Sequence, residues 1–277
     1  MKARALKTNV KTSSKLIAAI IIIFALLPAA GEDSVPSKVS GSLSVSRRDS
    51  LFDFQDGTKQ SYLEASFSTG IAISDLKYSI LLEASQDLKS KESDFDTLQL
   101  SAGLKARELG TALVSFSSSL ALPISKSQKK DSFQASAGMS IKVAANAEKL
   151  NWTHLGLSAA AKVAKNFHQF QTKTNGALNN EYFSIQSGDI NWSFNDMVST
   201  SITVIHYNTL DYAGTLKEYF GHVQDLSVQI TPKLGVSVGH AYGNPVASAR
   251  DAAGKDYEIP LIDEDQSFVY LATTLSF

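Results

Sequence analysis

Five histidines, His154, His168, His206, His222 and His240, are the residues best equipped for chemistry. Imidazole titrates near neutral pH and ligates zinc or copper. His206, His222 and His240 fall on three consecutive segments of alternating sequence, each near a long polar connection. Sheet neighbours lie ~4.8 Å apart, so the three rings are within reach of one another. All three nevertheless share the parity of the large aliphatic residues. That placement suits rings at an apolar–aqueous boundary better than ligands, so no metal and no cofactor are expected. Nucleophilic catalysis finds little support, because no GxSxG, GxGxxG, Walker loop, HExxH or calcium loop occurs. The chain is therefore not read as an enzyme.

The remaining polar chemistry is sparse and of mixed sign. On the parity opposite to the aliphatics stand mostly Ser, Gly, Thr and Ala, among them Ser40, Ser42, Ser44, Ser66, Ser68, Ser101, Ser117, Ser140, Ser199, Ser201 and Ser237. Among these small residues are seven charged ones: Glu64, Lys77, Glu83, Lys105, Lys142, Asp189 and Asp225. They either pair and fill an interior, or line a passage and set its ion preference. Glu64 and Glu83 flank the tight turn at 74–76, so they are expected near one height on neighbouring strands.

The elements that position these residues repeat with period two. Val39-Ser40-Gly41-Ser42-Leu43-Ser44-Val45-Ser46 alternates apolar or small with polar, the pattern of a strand with one greasy and one wet face. Twelve such segments occur: 37–48, 60–73, 77–87, 94–105, 109–122, 132–144, 150–164, 180–194, 198–209, 217–230, 234–243 and 265–277. Nearly all exceed the ~9–11 residues that a tilted strand needs to cross a bilayer. Residues 103–113 and 143–165 are rich in helix formers and leave a helix open there. Around Gly188 the apolar parity changes, and a bulge at that glycine is expected to restore one face. Connections after even-numbered segments are short (74–76, around Arg107, 145–149, 195–197, 231–233). Those after odd-numbered segments are longer and polar (49–59, 88–93, 123–131, 165–179, 210–216, 244–264). Sorting by parity belongs to a transmembrane barrel, with tight turns on one side and long loops on the other.

The 277 residues are 43% hydrophobic and 19% charged, with no cysteine and a formal net charge of −1. Residues 1–30 hold Lys2, Arg4, Lys7, Lys11 and Lys15 but no acid, then the apolar run 16–27 and Pro28-Ala29-Ala30. This is the layout of a cleaved signal peptide. Twelve helical residues rise only about 18 Å, too little for ~30 Å of hydrocarbon. The domains are thus a signal peptide at 1–30 and a barrel at 31–277. The latter carries 21 basic against 27 acidic residues, a poor composition for binding nucleic acid.

The chain closes on Ser267-Phe268-Val269-Tyr270-Leu271-Ala272-Thr273-Thr274-Leu275-Ser276-Phe277, with Val269, Leu271 and Leu275 on the face of the final aromatic. Together with the signal peptide, the alternating segments and the loop parity, this tail resembles Gram-negative outer-membrane β-barrels of the porin-like class. The resemblance implies an all-β, antiparallel up-and-down transmembrane barrel of about twelve strands. It also implies that Phe277 and Leu275 signal assembly to the barrel-assembly machinery. Two aromatic girdles are expected, Phe183, Phe220 and Tyr242 toward the outer interface and Trp192, Phe194 and Phe277 toward the inner. The implied location is the outer membrane, the partners are its lipid and small hydrophilic solutes, with assembly into a homo-oligomer left open, and the function is passive diffusion. A closed barrel whose outer loops bind a ligand or surface partner is the alternative, with Phe52, Phe54, Phe167 and Phe170 as loop aromatics. Outer-membrane phospholipases share the architecture but place serine two residues after histidine. Here Gly156, Phe170, Asn208, Gln224 and Tyr242 stand at those positions.

Overall fold

Alternation of aliphatic with small polar residues gives each strand one face for hydrocarbon and one for water, and only a closed sheet can use both. The computed structural model describes residues 39–51, 60–246, 262 and 267–277. Its strands are β1 (Val39–Ser50), β2 (Ser61–Ile73), β3 (Leu76–Asp87), β4 (Ser93–Leu104), β5 (Arg107–Leu109), β6 (Ala112–Leu122), β7 (Phe133–Ala145), β8 (Leu155–His168), β9 (Asn180–Ser193), β10 (Val198–Asp211), β11 (Leu216–Thr231), β12 (Leu234–Val246) and β13 (Ser267–Ser276). Two short helices, α1 (Lys126–Lys130) and α2 (Ala147–Leu150), interrupt the connections. The expected signal peptide, Phe52, Phe54 and most of 244–264 lie outside the described residues.

Each strand pairs antiparallel with the next in sequence except β4, which pairs with β6 instead of β5, and β1 pairs with β13. A β4–β6 ladder, Leu98↔Leu122 to Gly103↔Ser117, closes twelve long strands into a barrel. β5 has three residues and pairs only with the foot of β6, so the expected segment 109–122 is a strand with a small hairpin at its base. The hairpin turns at Gly110, whose φ of +62° suits a residue without Cβ. Both regions of strong helix propensity fold as strands joined by turns, and the four residues of α2 are their only helix. Ala159, Ala161 and Val163 face outward while Ser158, Ala160 and Lys162 face in, a period-two use of the segment that outweighs its propensity.

Burial is inverted relative to a soluble protein. Among the described residues only Ala84, Ala164, Tyr242 and Ala272 are buried hydrophobics. Met139, Val163, Leu271, Phe116 and Val238 are at least half exposed, all on the outward face. An apolar belt of this extent belongs in hydrocarbon, where a closed ladder also satisfies every strand's backbone groups. None of the described helices is long and apolar enough to cross a membrane.

Two expectations are corrected. No bulge occurs at Gly188: its ladders to Ala159 and Val204 run without a register shift. The parity change is therefore kept, with Ile190 and Trp192 pointing outward and Phe183 and Ile185 pointing inward. Outside, the same upper stretch presents Ser184, Gln186 and, on β10, Asn208, as a wall that has risen above the apolar belt would. A bulge in β4 instead makes Asp96 the extra residue, opposite the step from Glu83 to Ala84. Loop sorting by parity also has two exceptions, the long inner connection 146–154 that contains α2 and the four-residue outer turn 212–215.

Candidate functional site: the barrel interior

Register alone assigns the inner face. Ser44 pairs with Ser66, Ser66 with Glu83, Ser101 with Ser119, Ser117 with Ser140, and Ser201 with Asp225. Hydroxyl pairs run between neighbouring strands, Ser42–Ser68 at 2.9 Å, Ser117–Ser140 at 2.6 Å and Thr274–Ser44 at 3.1 Å. These short side chains satisfy one another and leave space at the axis.

On the β2–β4 side, Glu64, Glu83 and Asp96 border a cavity of about 300 Å³ with Ser44, Ser46 and Ser66. Glu64 and Glu83 sit diagonally, since Glu64 faces Ser85 and Glu83 faces Ser66. Arg48 approaches Glu64 at 3.7 Å, and its guanidinium lies 4.1 Å above the Phe268 ring. Asp96 accepts a hydrogen bond from Ser85 at 3.1 Å. Among the described residues no cation comes within ion-pair distance of Glu83 or Asp96.

The other charges do different things. Asp189 accepts from Thr203 at 2.8 Å and Ser158 at 3.1 Å. Asp225 accepts from Ser227 and, at 2.7 Å, from Tyr270 two strands away. The Tyr270 ring reaches Asp225 by crossing Gly239, where a Cβ would overlap it. Lys77 and Lys142 face inward near the inner ends of β3 and β7. Lys105 lies one residue beyond the end of β4, where its N–H closes a turn onto the Asp75 carbonyl at 2.8 Å. Lys162, not singled out from the sequence, reaches past β7 and β6 to donate to Gln99 Oε1 on β4 at 3.1 Å.

Facing the acidic wall is an apolar one. The rings of Phe183, Tyr207 and Tyr219 form a ladder over β9, β10 and β11, with both centroid separations at 5.8 Å. Ile185, Ile205 and Val223 share that inner face. Lys162 Nζ lies 5.6 Å from the Phe183 centroid. Phe183 was expected in the outer girdle; the unbroken ladder through Gly188 turns it inward instead.

Trp192, Phe194 and Met197 project outward at the inner end, each about half exposed. Phe220 is on the outward face of β11, opposite His206. Tyr242 stacks on His222 at 5.2 Å, and His222 and His240 lie 5.7 Å apart. Among the described residues no group of three His, Cys, Asp or Glu could hold a metal ion. Phe277 exchanges backbone hydrogen bonds with Gly41, both 3.0 Å, and its ring stacks on Phe67. Below the barrel, Lys149 on α2 meets Glu108 on β5 at 2.6 Å and holds that carboxyl below its usual range.

Three of these features escaped the sequence reading for identifiable reasons. Asp96 is displaced by a bulge that carries no glycine. Lys162 sits in a stretch whose composition favours helix. The ring ladder depends on pairing β9 with β10 and β11 in one register.

No protein-family model matches the chain, and no curated protein sequence is similar to it. Solved structures are similar in fold. The NanC porin superposes with a TM-score of 0.54 at 10% identity, over 85% of this chain and 98% of that one. An outer membrane channel from Pseudomonas putida F1 superposes with a TM-score of 0.57 at 8% identity, over 90% and 99%. The chain therefore has the fold of a porin-type outer-membrane barrel.

Proposed function

We propose that this protein is a non-catalytic channel of the Gram-negative outer membrane, passing small hydrophilic solutes by diffusion. The observation that carries the reading is the inner face: hydroxyl-lined, bearing carboxylates around a cavity of about 300 Å³, and enclosed by an outward apolar belt. Such a wall replaces part of a solute's hydration without gripping it, and its charges set ion preference. The structural neighbours, named as a porin and an outer membrane channel, agree with it. In this reading residues 1–30 are the export signal removed from the mature chain. Lipid surrounds the belt, and the assembly machinery engages β13 through Phe277 and Leu275. Inward Glu64, Glu83, Lys77 and Lys142 contribute to selectivity, while Asp189 and Asp225 chiefly brace the wall.

A closed barrel that binds a partner through its outer loops is the second reading. It is favoured by exposed Phe170 and Phe167 at the outer rim, 60% and 43% accessible. Recording from the refolded protein in planar bilayers separates the two. The channel reading predicts stepwise conductance, and the absence of steps supports the loop-binding reading. It further predicts that Glu64→Gln with Glu83→Gln moves the reversal potential in a salt gradient toward anions. The shift should shrink near 1 M salt, where the Debye length is ~3 Å.

A further inference from the structure

The inner wall is divided into two unlike halves. In the ring of twelve long strands, β2, β3 and β4 stand six places from β9, β10 and β11, so the two groups face each other across the axis. Glu64, Glu83 and Asp96 lie three or four residues from the outer ends of their strands, and so do Phe183, Tyr207 and Tyr219. Three carboxylates, of which Glu83 and Asp96 have no ion-pair partner among the described residues while Glu64 meets Arg48, thus confront an aromatic ladder at similar depth. The ladder already holds one cation, because Lys162 lies over its Phe183 end. Tyr207 and Tyr219 are half-buried, and among the described residues no cation lies over either ring.

We propose that this stretch is a transit subsite for organic cations, meaning a protonated or quaternary amine on an apolar or aromatic body. The proposal rests on the channel reading. Ring faces attract an ammonium group through the quadrupole and accept an aromatic body by stacking. The opposite carboxylates fix the sign of the guest, since a low-dielectric wall focuses their field into the lumen. A sugar also stacks on aromatic faces, but it gains nothing from unneutralised carboxylates, and an aromatic anion is repelled by them.

The test is current interruption in planar bilayers containing the full barrel in 0.1 M KCl. Benzyltrimethylammonium should interrupt the open current at far lower concentration than benzenesulfonate or maltohexaose. Tyr207→Ser with Tyr219→Ser should weaken this block about tenfold, the scale of a partly desolvated cation–π contact. Tyr207→Phe with Tyr219→Phe keeps both ring faces and should keep the block, which separates ring chemistry from misfolding. Glu83→Gln with Asp96→Asn should weaken it as well. Equal block by the cation and the sulfonate overturns the proposal while leaving the channel intact. So does block by maltohexaose alone, which assigns the ladder to carbohydrate. Absence of KCl current overturns the channel reading and this proposal with it.

Discussion

Gly239 shows how a missing side chain fixes a wall. Tyr270 on β13 lies across it to donate to Asp225 on β11, so one phenol ties three strands together. The inner face of β12 carries only Gly239 and Ala241 at this level, which keeps the path clear. Gly239→Val puts two methyl groups where the ring lies and forces it off Asp225. Overpacking of this kind costs about 1–3 kcal/mol, and the freed carboxylate and phenol add to the loss. The variant is expected to lose its folded gel mobility at a lower heating temperature than the parent, and an unchanged transition would show that the crossing contributes nothing. In the sequence Asp225 is legible as an inward charge, but its role is not. Its partner stands 45 residues away, and only the register of two ladders brings them together.

At the scale of elements, strand order, alternation and the twelve long segments were legible, because a face exposed to lipid must repeat with period two. The outcome at β9 shows where that reasoning stops. One-face logic demanded a bulge at Gly188, whereas the strand runs straight through and trades faces as it leaves the apolar belt. Periodicity reports which residues share a face, but the height at which hydrocarbon ends is set by the neighbouring strands. The seam between β1 and β13 is the element most exposed to assembly. Its last link is the pair of Phe277–Gly41 backbone hydrogen bonds, ~1 kcal/mol each, with the Phe277 ring lying where a Cβ on Gly41 would stand. Deleting Phe277 removes both links and the stacking on Phe67. The amount of folded barrel in outer-membrane fractions should fall, while the conductance of each assembled channel stays the same. Parental levels of folded barrel would detach this residue from assembly.

The barrel turns its apolar surface outward and keeps a hydroxyl-lined interior, with no free edge among its twelve long strands from which to unravel. Composition concealed this, since its sums do not distinguish an apolar core from an apolar belt; only the alternation along each strand reveals it. The central claim is that one face of each strand meets water inside a barrel while the other meets lipid. The absence of cysteine makes a clean reporter possible. Along β10, Ser199, Ser201 and Thr203 face inward, and Val198, Thr200 and Ile202 face outward. Each is replaced singly by cysteine, and the protein in lipid bilayers is treated with a charged, membrane-impermeant thiol reagent. The account predicts fast labelling at 199, 201 and 203 with a stepwise drop in conductance, and slow labelling at 198, 200 and 202. Equal labelling at all six positions, or fast labelling at 198, 200 and 202 alone, would contradict it.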